Sequence, residues 1–279
     1  GLLYGMELDL RRMLAVRDRA VRLALLEGAG SALPVGLAAW FFFTSGVFGD
    51  VDPRIALVGS GVLGFASWAG SSSALDTIRQ RYGVSGDLVR TVDRAAGLGD
   101  MMSILGFGVL FAFFHEPVLN ATLERPPTPV EWATLTVAIG LGMGALFSYF
   151  LDDDAAENSV LLILVGIISF AAGAAYFLEL SPLLICLVVG MVMVNTSHAG
   201  DRVRGALLGT SHPVKLLLLI MAGALWSPPP ALATLGLTAG LVLLRTVGKL
   251  VSCWLASLGT ELRGDLGRAL LGQGEVAVA

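Results

Sequence analysis

The sequence predicts an all-α, polytopic helical bundle embedded in a lipid bilayer. Of its 279 residues 55% are hydrophobic and only 14% charged, where soluble domains average about 25% charged. Mean hydropathy is +0.78. Apolar runs of about 20 residues, the length that crosses a hydrocarbon core, recur along the whole chain. One soluble core cannot hide that much apolar surface. The net charge of −4 says little, because orientation follows where the charges fall rather than their sum. No basic patch points to nucleic acid, and no CxxC, HExxH, GxxxxGK[ST] or Ser/His/Asp pattern suggests an enzyme.

In order, the expected spans are 23–46, 55–74, 96–117, 131–151, 159–179, 181–197, 213–227 and 231–257, with a partial span from about 267. Their connections are short, so 1–279 is expected to be a single transmembrane domain. The turn-rich loop is 118–130, with Pro126, Pro127 and Pro129. The chain opens on GLLYGMELDL, which reads as the tail of a span, and closes on ALLGQGEVAVA, which reads as a span just begun. Both ends are therefore expected to be cut from a longer chain. Cys186 and Cys253 lie in apolar runs and read as small buried hydrophobes.

Arginines orient the spans. If the cluster Arg11, Arg12, Arg17, Arg19 and Arg22 is cytoplasmic, alternation puts 75–95, 152–158, 198–212 and 258–266 on the same side, with Arg79, Arg81, Arg90, Arg94, Arg202, Arg204 and Arg263. The opposite loops then carry Arg54 and Arg125. This asymmetry is the positive-inside pattern, and it predicts an integral protein of the plasma (inner) membrane with a cytoplasmic N-terminal segment. The acidic turn Asp152-Asp153-Asp154 with Glu157 reads as a solvated turn, with a cation site as its alternative.

Charges inside apolar runs mark the candidate chemistry. Asp100 sits in AAGLGDMMSILGFGVLFAFF, residues 95–114. A carboxylate there is tolerated where it faces protein or water and serves an ion or proton path. Arg245 and Lys249 lie four apart in GLVLLRTVGKLVSCWLASLG, so they share one helix face and need acceptors or carboxylates. The span 55–74 is interrupted by Gly59, Gly61, Gly64, Gly70 and Ser71-Ser72-Ser73. It suits either a broken helix lining an ion site or a close-packed helix with small residues at its interface. Gly272, Gly274 and Glu275 open a second glycine-interrupted run. Paired interruptions of this kind point to an inverted-repeat fold with discontinuous helices.

The ordered set of motifs resembles the monovalent cation:proton antiporter family, the sodium/hydrogen exchanger-like transmembrane domain. GLLYGMELDLRRML is similar to the family's F-x-x-G-x-E-L-D stretch, GLGDMMSILGFGVL to the helix bearing its ion-binding aspartate, and LLICLVVGMVMVNTS to F-L-A-G-x-V-x-A-N. LLLIMAGALW, RTVGKLVSCWLASLG and RALLGQGEVAVA resemble its last segments, in family order over nearly the whole chain. The resemblance implies an inverted-repeat antiporter fold, a homodimer, and exchange of Na+ or K+ for protons with no cofactor. It places Asp100 as the carboxylate shared by proton and metal cation, Lys249 as its basic partner, Ser71, Ser72 and Ser73 at the helix break, and Arg245 and Glu275 as supporting charges. Gly99 departs from the pattern, which has Asn or Asp there. That departure keeps a non-transporting scaffold or sensor open as an alternative, beside an uncoupled cation channel on the same fold.

Overall fold

A computed structural model of the chain describes residues 1–8, 18–47, 49–70, 75, 81–83, 85–114, 128–152, 157–197, 200–225 and 232–258. Among these described residues there are nine helices and no strand. They are α1 (Leu2–Met6), α2 (Asp18–Thr44), α3 (Pro53–Trp68), α4 (Asp87–Phe113), α5 (Pro129–Asp152), α6 (Glu157–Leu178), α7 (Pro182–Thr196), α8 (Gly200–Leu225) and α9 (Leu232–Ala256). Five stretches are long and apolar enough to cross a membrane: Ala20–Thr44, Leu88–Phe113, Pro129–Leu151, Val160–Leu178 and Thr234–Ala256. Arg202–Thr210 and Pro213–Leu225, bent by 41°, make a sixth if counted as one span. The protein is thus an all-helical integral membrane protein.

Helices and apolar runs do not share boundaries. α4 begins at Asp87, nine residues before the expected span, and α8 at Gly200, thirteen before. Their first turns, DLVRTVDR and GDRVRG, are polar. Hydropathy marks only the part suited to hydrocarbon, while the helix continues through polar sequence. α3 deviates the other way and stops at Trp68 inside the expected 55–74 run. At about 1.5 Å per residue its 16 residues make about 24 Å, short of the ~30 Å hydrocarbon core. The partial span from 267 lies outside the described residues.

The chain divides into two compact units. The first comprises Gly1–Ala15 and Ile104–Val214. In it α7 is the central element, touched by α1, α5 and α6. Gly140 and Gly144 of α5 lie one turn apart and receive Val188 and Val192 of α7, where a Cβ would come within 2.7 Å and 2.6 Å of those side chains. Gly5 and Gly190 let α1 and α7 approach until backbones meet. Ile167, Ile185, Val189 and Met193 are buried in the core formed there. α6 ends in a left-handed turn at Glu179 (φ 52°), closed by Leu180 N–H donating to Ala175 O at 2.9 Å. That is the Schellman pattern, with Glu where Gly is usual.

The second unit comprises Val16–Ser103 and Lys215–Ala279. Here α2 packs against both α3 and α9. Gly64 of α3 lies on Ala32 and Gly36 of α2, and Gly248 of α9 lies against the carbonyl of Gly30. Pro34, inside α2, has no N–H to offer that carbonyl. A smaller core of Leu23, Ala24, Val92, Ala95, Ala96, Cys253 and Ala256 completes the unit. Cys186 and Cys253 are both free thiols.

Candidate functional site

The site lies within the second unit and is organised by the end of α3. Asp52 caps the other end of this helix, its carboxylate accepting from Arg54 N–H at 2.8 Å, and Pro53 starts the first turn. The C-terminal end has no such local solution. Ala69 turns to extended backbone (φ −51°, ψ 131°), which strands carbonyls that a continuing helix would have satisfied. Side chains from three other helices take them. Ser103 of α4 donates to Phe65 O at 2.7 Å. Ser67 O accepts from Ser31 of α2 and from Arg245 Nε of α9, each at 3.3 Å. Ala69 O accepts from Arg245 Nη2 and from Lys249 Nζ, again at 3.3 Å. Two cations at a helix C-terminus also oppose its partial negative charge.

Asp100 meets the same backbone from the other direction. Its Oδ1 accepts from Gly70 N–H at 2.8 Å. Ala69 C=O and Gly70 N–H belong to one peptide group. That group therefore lies with its oxygen on Arg245 and Lys249 and its hydrogen on Asp100. Glycine suits this point: a Cβ there would stand 3.1–3.2 Å from the backbone and side chain of Ala96, so that Ala96 would have to give way.

Charges are deeply buried around this peptide group. Asp100 and Lys249 are 0% exposed, Glu27 1% and Arg245 9%. Burying an ion costs several kcal/mol unless it is paired, and among the described residues two carboxyl and two basic side chains meet here. Lys249 makes its ion pair with Glu27 of α2. Glu27 is the site residue that inspection of the sequence passed over. Its signal was available, since it is a carboxylate inside the apolar run 23–46, in the same position logically as Asp100. Asp100, Lys249 and Arg245 are thus brought together at one peptide group, and α3 ends at Trp68; beyond Gly70 the expected break lies outside the described residues. Ser71, Ser72, Ser73 and Glu275 lie outside the described residues.

Alkali cations take oxygen ligands, as other hard cations do. A buried carboxylate beside extended backbone offers that chemistry. Residues 2–279 match the family model described as sodium/hydrogen exchanger, transmembrane. Comparison with curated individual proteins gave no match.

Proposed function

Because this chain belongs to the sodium/hydrogen exchanger transmembrane family, whose membership implies cation/proton antiport, we propose that it exchanges Na+ or K+ for protons with Asp100 as the carboxylate they share. The burial of Asp100 against the Ala69–Gly70 peptide group is the observation that carries this reading. With Glu27 and Asp100 ionised and Arg245 and Lys249 charged, the buried set sums to zero. Adding one H+ or one alkali cation changes that sum equally, so the two ligands compete for one carboxylate. One proton then moves per cation. Lys249 and Arg245 hold the broken end of α3 in place while Asp100 is discharged and recharged. The Arg-rich N-terminal segment faces the cytoplasm of a plasma-membrane homodimer, on the strength of the arginine asymmetry and the family.

The test is Asp100→Asn in proteoliposomes. Asn keeps a carbonyl oxygen to accept from Gly70 N–H, so the fold is retained while the titrating charge is lost. Cation-driven proton movement, read with an entrapped pH dye, is expected to vanish. Exchange retained in this variant refutes the assignment.

A further inference from the structure

The indole of Trp68 occupies an unusual place. It is the last residue of α3, flanked by Ser67 and Ala69, whose carbonyls receive the site's cations. Its ring stacks beside Phe65, centroids 6.5 Å apart and 12° between planes. The pyrrole edge runs between two glycines. At Gly28 of α2 a Cβ would overlap Nε1, Cε2 and Cδ1. At Gly99 of α4 a Cβ would stand 3.7 Å from Cδ1 and 3.9 Å from Nε1. These glycines are the sequence neighbours of Glu27 and Asp100. The donor of Trp68 thus lies between Gly28 and Gly99, each next in sequence to a buried carboxylate.

Nε1 is buried and has no hydrogen-bond partner among the described residues. A buried donor left unmade costs about 1–3 kcal/mol, and such a group in a native fold calls for an explanation, a water or ion being one. At Gly28 the indole itself takes the room a side chain would need, so the ligand must be a small oxygen acceptor. Position 99 supplies no side-chain oxygen. A water has the bonding capacity this donor calls for: one lone pair accepts from Nε1–H, the other faces a cation, and both hydrogens remain for carboxylates, within the two to four polar partners a buried water makes.

We propose that Trp68 is a specificity-determining residue of the cation site, its indole N–H holding a water that serves as a cation ligand in place of a side chain at position 99. The substrate is then an alkali cation that keeps one water in its shell. This rests on the reading of Asp100 as the cation carboxylate. Trp68 acts through the water, so it is a positioning residue.

Two experiments separate this inference from that reading. In protein carrying 15N-indole tryptophan, with Trp68→Phe to identify the resonance, the Trp68 N–H signal is expected to shift on adding NaCl or KCl and to stay put with choline chloride. The shift is expected to disappear in Asp100→Asn. An unmoved Trp68 resonance in a protein whose exchange depends on Asp100 overturns the water ligand and leaves the exchanger reading standing. A cation-specific shift in protein that fails to exchange supports the water ligand and refutes the exchanger reading. In proteoliposomes Trp68→Phe keeps the ring and loses the donor. Its apparent KM for the cation is expected to rise about tenfold, the equivalent of ~1.4 kcal/mol, with maximal rate within about twofold. Gly99→Asn in that background provides an amide oxygen near the vacated donor position and is expected to restore KM. Unchanged KM with a fallen rate, or no rescue by Gly99→Asn, overturns the proposal.

Discussion

Lys249→Met isolates the ion pair at the heart of the site. Lys249 is 0% exposed and Glu27 1%, so removing the ammonium leaves a carboxylate that water cannot reach. Breaking a buried pair in this way costs about 3–5 kcal/mol. The lost hydrogen bond to Ala69 O adds little, because Arg245 Nη2 still donates to that oxygen. At roughly 2–4 °C per kcal/mol for chains of this order of size, the Tm falls on the order of 10 °C. Removing both charges is a different perturbation. Glu27→Leu with Lys249→Met leaves no uncompensated ion, and similar replacements are often neutral or stabilising. The double variant is therefore expected to recover most of what either single variant loses, a coupling above about 2 kcal/mol. Thermal unfolding of the detergent-solubilised protein, followed by far-UV circular dichroism, gives all four corners of the cycle. A Lys249→Met shift under 2 °C (less than ~1 kcal/mol), or single effects that simply add, refutes the pair as a structural element.

Further outcomes follow from contacts elsewhere. Gly248→Ala drives a Cβ into the carbonyl of Gly30. Separating α9 from α2 is expected to cost about 1–3 kcal/mol and to depress exchange through the adjacent Lys249; an unaltered melting curve counts against the close approach. Gly70→Ala forces Ala96 to yield from 3.1–3.2 Å, with a similar expected loss and a weakened cation KM. Arg22→Ala removes the donor to Ala256 O at 2.6 Å and Leu258 O at 3.2 Å at the end of α9, worth about 0.5–1.5 kcal/mol by the same melting assay. Gly142→Ala is the control. Nothing lies within 4 Å of its added Cβ, so stability is expected to hold or rise by up to ~1 kcal/mol.

Much of this was legible in the chain. A charge inside an apolar run is conspicuous, and Asp100, Arg245 and Lys249 were found that way. The resemblance placed them in one family architecture. Spacing also put Arg245 and Lys249 on one face, where they now share the carbonyl of Ala69. Glu27 carried the same signal, five residues beyond Arg22 and inside the expected 23–46 span. The resemblance made Lys249 the partner of Asp100; its ion pair with Glu27 was not legible, since that pairing depends on how α2 and α9 cross at Gly30 and Gly248. Trp68 could not be found from composition either. A tryptophan in an apolar run is ordinary, and only packing reveals that its N–H is buried.

The break in α3 and the charges around it are two halves of one arrangement. In an uninterrupted helix Gly70 N–H would bond to Ala66 O, Ser67 O would take an N–H from residue 71, and Ala69 O one from residue 73. Ending the helix at Trp68 releases three of those groups, and they are the ones that Asp100, Arg245 and Lys249 occupy. A straight helix would therefore leave two cations and a carboxylate buried with fewer partners, and a neutral site would leave the broken backbone orphaned in hydrocarbon, at several kcal/mol per group. Each half is tolerable only with the other. The polarised Ala69–Gly70 peptide ties them: neutralising Asp100 weakens the bond at its N–H, and the adjacent carbonyl feels that change on the side where Lys249 and Arg245 bind.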